Sequence, residues 1–165
     1  MVEHLQPVAL AALVGIGGTA FMDIWAQTQR RLFGIPALDY CMVGRWLGHL
    51  PKGRMRHQSI AKAPQLRGEC TLGWIAHYAI GVAFAGLLVA IWGVDWIGQP
   101  TLAPALIIGL ATVLAPFLIL QPGMGAGIAA SKTPKPNTAR LRSLVAHLSF
   151  GLGLYLSAVL LALLL

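Results

Sequence analysis

The sequence predicts an all-α, polytopic integral membrane protein with four transmembrane helices, and three observations predict it. The 165 residues are 57% hydrophobic and 10% charged, with mean hydropathy +0.73, whereas soluble domains run near ~25% charged. Four stretches, near 7–29, 71–92, 102–121 and 143–165, reach the ~20 apolar residues that a helix needs to cross a bilayer. All 12 Lys and Arg lie in the segments about 30–70 and 122–142 that separate these stretches. The whole chain, 1–165, therefore reads as a single membrane domain. The positive-inside rule puts both basic segments in the cytoplasm and both termini on the outer side.

The first stretch does not read as a cleavable signal peptide. It lacks a positively charged leading region, its small-residue matches run on into more helix, and it carries Asp23. The segment after it, "FGIPALDYCMVGRWLGHLPKG", has a Gly-Ile-Pro turn and then an amphipathic stretch from about 38 to 50 closed by Pro51. Tyr40, Val43, Trp46, Leu47 and Leu50 recur at helical spacing there, as on a helix lying in the membrane interface. Cys41 and Cys70 fall in the same segment. A cytoplasmic location is reducing, so no structural disulfide is expected between them. His49 and His57 lie between the cysteines at a spacing that matches no zinc pattern.

The second stretch contains "IAHYAIG" and the fourth "VAHLSFG", while the first and third share "GIGGT" and "GLAT". This weak repeat suggests two tandem helical hairpins, with His77 and His147 at equivalent depths. The third stretch ends in "LQPGMGAG", where Pro122 and the glycines interrupt a helix. "ASKTPKPNTARLRS" then reads as a rigid, Pro-containing turn.

A net charge of +7 would suggest nucleic acid in a soluble protein. No reading helix or aromatic-interleaved basic stripe is present, so nucleic acid is excluded as a partner. The basic segments are expected to set topology and to meet anionic lipid head groups. A sharper reading makes Lys132, Arg140 and Arg142, with Ser131, Arg54 and Arg56, a binding site for an anion.

The residues least at home in a membrane are the candidates for function. A charge at the centre of a bilayer helix costs about 2.5–3.5 kcal/mol on the mildest scale. Read every fourth residue, the helices give Gly15-Thr19-Asp23, Gly73-His77-Gly81-Ala85 and Ser143-His147-Gly151-Tyr155. Each ionisable group thus shares a face with small residues, where membrane helices approach closely. Counted from Arg30, Glu69 and Arg142, all three lie roughly 7–12 Å inside the cytoplasmic boundary. Gln121 arrives at the same level from the third helix.

Interhelical hydrogen bonds in membranes contribute only about 0.6 kcal/mol each, so stability alone is a poor reason to keep such groups. The leading reading is a ligand-binding or proton-exchanging site for a small solute or ion, made by Asp23, His77, His147, Gln121 and Thr19. Four helices do not enclose a gated pathway, so this reading calls for a homo-oligomer. A second reading makes His77 and His147 ligands of haem, or of a transition metal with Asp23 as a third ligand. Enzymatic acid–base chemistry on a lipid or quinone ranks below both, because no nucleophile or metal motif is visible. A structural or assembly subunit of a membrane complex is the remaining class.

Taken together, "GGTAFMDIWA", "RLFGIPALDYCMVGRWLGH", "GWIAHYAIGVAFA", "LAPFLILQPGMGAGIAASKTPKPN" and "RLRSLVAHLSFGLGLYL" resemble a family of small bacterial inner-membrane proteins catalogued only as a domain of unknown function. The resemblance implies a bacterial inner-membrane location and four helices. It implies no activity or ligand.

Overall fold

A computed structural model of the chain describes the backbone of residues 2–164 and the side chains of residues 7–164. The terminal residues Met1 and Leu165, on which the expected exposure of both termini bears, lie outside the described residues. The architecture is all-α, with no strand among the described residues. Its helices are α1 (Val2–Phe33), α2 (Tyr40–His49), α3 (Glu69–Trp92), α4 (Asp95–Gly98), α5 (Leu102–Thr112), α6 (Gln121–Met124) and α7 (Pro136–Leu164).

Four segments are long and apolar enough to cross a membrane: Pro7–Phe33, Glu69–Trp92, Leu102–Met124 and Pro136–Leu164. Their most apolar windows bury between 17% and 33% of their residues against protein. Large side chains such as Ile24, Ile75, Leu118, Ile119 and Leu160 stand exposed along them. Water would not tolerate so much contiguous apolar surface, whereas lipid tails would, and each helix satisfies its own backbone.

Local chemistry sets the helix ends. Gly93, at φ +85°, closes α3 with its N–H donating to the Val89 carbonyl at 2.8 Å. The third span is broken after Thr112 by Pro116, which has no N–H for the Thr112 carbonyl and would crowd it. The chain absorbs the break as a π-helical turn over Pro116–Leu120 before α6 resumes. α7 starts on Pro136, whose fixed φ suits a first helical position.

The chain divides into two compact units. The first comprises Met1–Ala37, Tyr78–Thr112 and Ala146–Leu165; the second comprises Leu38–His77 and Val113–Val145. In the first unit Val14, Leu88, Ile97, Ile108 and Leu154 form a buried core, and Trp96 of α4 is anchored by an N–H bond to the Thr101 carbonyl at 3.2 Å. α5 and α7 meet backbone to backbone, since a Cβ on Gly109 would stand 2.6 Å from the His147 carbonyl and one on Gly151 2.7 Å from that of Ala105.

The second unit packs α2 on the first turns of α3. A Cβ on Gly44 would overlap the Glu69 carbonyl, and one on Gly73 would overlap that of Tyr40. This approach corrects one expectation. Cys41 and Cys70, expected to stay as free thiols, stand with Cα atoms 3.8 Å apart and form a disulfide. The reducing-compartment argument ignored geometry: two side-chain-free positions let the helices close until the cysteines one turn away face each other. Val43, Gly44, Arg45 and His49 are buried on this face of α2.

Candidate functional site

Asp23, His77, His147 and Gln121 each have a partner within the protein. In the first unit the Tyr78 hydroxyl of α3 donates to Asp23 Oδ2 of α1 at 3.1 Å. One turn earlier on α1, Thr19 is fully buried and gives its hydroxyl to the Gly15 carbonyl at 2.7 Å, against Gly81. Thr19 thus satisfies its hydroxyl within its own helix.

His147 sits where the Gly109–Gly151 approach brings α5 against α7. Its Nδ1 lies 2.9 Å from Thr112 Oγ1, while that hydroxyl donates to the Gly109 carbonyl at 2.7 Å. A hydroxyl has one proton to give. Nδ1 is therefore assigned as the donor to that hydroxyl.

In the second unit Gln121 Nε2 donates to Ser143 Oγ at 3.2 Å, and Gln121 Oε1 is buried with no hydrogen-bond partner. His77 stacks on Tyr40 with ring centroids 4.0 Å apart and meets Trp74 edge-on at 5.9 Å. Among the described residues no group of three His, Cys, Asp or Glu side chains is placed to hold a metal ion.

A bidentate ion pair in the second unit was not anticipated from the sequence. Arg45 grips Glu69 with two bonds, Nε to Oε2 at 2.9 Å and Nη2 to Oε1 at 2.6 Å. Its Nη1 also donates to the carbonyls of Ile60 at 3.2 Å and Ala61 at 3.3 Å. The carboxylate keeps the guanidinium above the ordinary arginine range, against the opposing effect of burial. One side chain therefore ties α2, the start of α3 and the 60–63 turn together.

Of the cations proposed to meet an anion, Arg140 donates to the Ala129 carbonyl at 2.8 Å and to Asn137 Oδ1 at 3.0 Å, so it holds a turn. Arg54, Arg56, Lys132 and Arg142 are exposed. Tyr78, Thr112 and Ser143, the partners of the intramembrane groups, were also missed. Tyr78 adjoins His77 and Ser143 ends the stripe of His147, but each partnership depends on how two helices cross.

Four apolar spans, polar pairs within helix bundles and a loop clamped by an ion pair define a small multi-pass membrane protein. The family profile described as "Protein of unknown function (DUF2938)" matches residues 12–161. The chain belongs to that family of small bacterial membrane proteins. No curated protein and no solved structure matches it.

Proposed function

We propose that this protein binds or transports a small solute or ion in the bacterial inner membrane, exchanging a proton at Asp23. The observation that carries the reading is the Asp23 carboxylate inside a membrane span with the Tyr78 hydroxyl bound to it at 3.1 Å. Burying an ionisable group there is costly, and intramembrane carboxylates commonly mark ion and proton paths. The His147–Thr112 pair at 2.9 Å supplies a second proton-carrying group in the same unit.

The protein works as a homo-oligomer, because four helices are too few to form a path with two gates. The distribution of the 12 Lys and Arg supports an orientation with both basic segments in the cytoplasm, against anionic lipid head groups.

The test uses liposomes carrying the purified protein and an internal pH-sensitive dye, with a pH step applied outside. The wild type should dissipate the step faster than protein-free liposomes, and Asp23→Asn should slow it about tenfold, equivalent to about 1.4 kcal/mol. Tyr78→Phe should have a smaller effect in the same direction. A wild-type rate equal to that of empty liposomes, or an Asp23→Asn rate equal to wild type, would rule the reading out.

A further inference from the structure

A cavity of about 630 Å³ opens in the second unit where the third span ends, between Arg56–Gln58 of the first loop and the turn from Pro122 to Lys132. We propose that this cavity is a binding site for a phosphate-bearing anion, held by Arg56, Ser131 and Lys132, with His57 in its wall. The inference does not rest on proton exchange at Asp23.

The charge is suited to an anion. Arg56 and Lys132 approach from the two different segments, and no Asp or Glu is among the described residues lining the cavity. The unit contains two carboxylates, Asp39 and Glu69. Glu69 is committed to Arg45, and the Asp39 side chain caps α2 by accepting the Cys41 N–H at 2.9 Å. Positive charge facing the cavity therefore has no internal counter-ion there. Arg offers a planar fork and Lys a point charge, the pair of donors that phosphate oxygens accept best.

His57 ties the first loop to the end of the third span at the cavity wall. Its backbone N–H donates to the Gly123 carbonyl at 2.9 Å, and its ring Nδ1 lies 3.3 Å from the same oxygen. The ring is thereby fixed with Nδ1 as donor. Nε2 is buried and has no hydrogen-bond partner. The rings of His49 and His57 meet edge-on at 5.1 Å, so His49 is the neighbouring titratable group.

The opposite wall carries left-handed backbone held by hydrogen bonds. Gly125 and Gly127 adopt φ +97° and +76°, and Ala129 and Ala130 follow at +46° and +59°. Non-glycine residues hold such angles only when the surroundings over-determine them. Here the Arg140 bond to the Ala129 carbonyl and the Lys132 N–H bond to the Ala126 carbonyl, both 2.8 Å, do so. The volume is in the range of small-molecule sites and exceeds what a bare phosphate fills. The ligand is a phosphate group on a larger body, either a soluble phosphomonoester or a lipid head group.

The protein in a phosphate-free maltoside detergent is titrated with inorganic phosphate by calorimetry and, separately, with micelles doped with phosphatidylglycerol. At least one probe should bind saturably. Arg56→Gln/Lys132→Gln should weaken that binding about tenfold or more, and Ser131→Ala should weaken it less. Lys52→Gln/Lys62→Gln, which removes two exposed cations of the first loop away from the cavity, should leave it unchanged. Binding of inorganic phosphate assigns a soluble ligand; binding of phosphatidylglycerol alone assigns a lipid. Saturable binding of neither probe, or equal loss in both double variants, overturns the site. Because Arg56 and Lys132 are exposed, their replacement is expected to leave the helical circular dichroism signal unchanged.

Discussion

Replacing Arg45 with Met lowers the stability of the folded protein by about 3 kcal/mol, the low end of the cost of orphaning one member of a buried ion pair. The side chains of Arg45 and Glu69 are 8% and 11% exposed, so water cannot readily replace the lost partner. Glu69 would keep its bond from the Leu66 N–H at 2.8 Å but lose both guanidinium contacts. The carbonyls of Ile60 and Ala61 would also lose the guanidinium, the Ile60 oxygen keeping only the Ala63 N–H. Thermal unfolding in detergent reads the loss, and hydrogen exchange should rise first over residues 60–63. The double variant Arg45→Met/Glu69→Leu should recover much of the stability, because no charge is left unpaired. Arg45→Lys should recover little, since an ammonium cannot span both carboxylate oxygens and the carbonyls. An unchanged midpoint in Arg45→Met would mean that the pair is exposed to water in the membrane.

The second large effect is expected at the contact between α2 and α3. Gly44→Ala puts a methyl group where the Glu69 carbonyl stands, and Gly73→Ala puts one where the Tyr40 carbonyl stands. Both obstacles are backbone, which cannot rotate aside. Overpacking of this kind costs about 1–3 kcal/mol or more. The helices must separate, and Cys41 and Cys70 separate with them. Oxidised samples run on a non-reducing gel should therefore show the disulfide in the wild type and largely lose it in either variant. Gly86→Ala is the control, because nothing lies within 4 Å of an added Cβ there; it should keep the disulfide. Formation of the disulfide at the wild-type rate in Gly44→Ala would show that the helices do not pack as described.

The four apolar helices were legible in the sequence because lipid selects for length and apolarity, and both can be counted residue by residue. Asp23, His77, His147 and Gln121 were legible as exceptions to the same rule. Their partners were not. Tyr78 reaches Asp23 across 55 positions, His147 reaches Thr112 across 35 and Gln121 reaches Ser143 across 22. Which residues meet depends on where two helices cross, and helices that are apolar on every side carry little periodic signal of their facing sides. The Arg45–Glu69 pair was hidden for a different reason. Arg45 looked like one basic residue among eight in a loop, and its role follows only from the glycine-to-glycine approach beside it. The Cys41–Cys70 bond escaped because redox compartment was weighed and distance was not.

That bond also sharpens the question of orientation. Disulfides persist in oxidising compartments, whereas a segment rich in Lys and Arg is retained in the cytoplasm. In the proposed topology loops separated by two spans lie on the same side, which puts all 12 Lys and Arg on one side of the membrane. Those charges set the orientation proposed here, and with it the side to which the phosphate cavity opens.

The most direct test of the account is a pair of fusions to an alkaline phosphatase that becomes active only after export. One is placed in the turn between α6 and α7, and the other follows α7. The account predicts an inactive enzyme at the turn and an active one after α7. The reverse pattern would put the basic segments and the disulfide outside the cell membrane, and would contradict cytoplasmic access to the cavity.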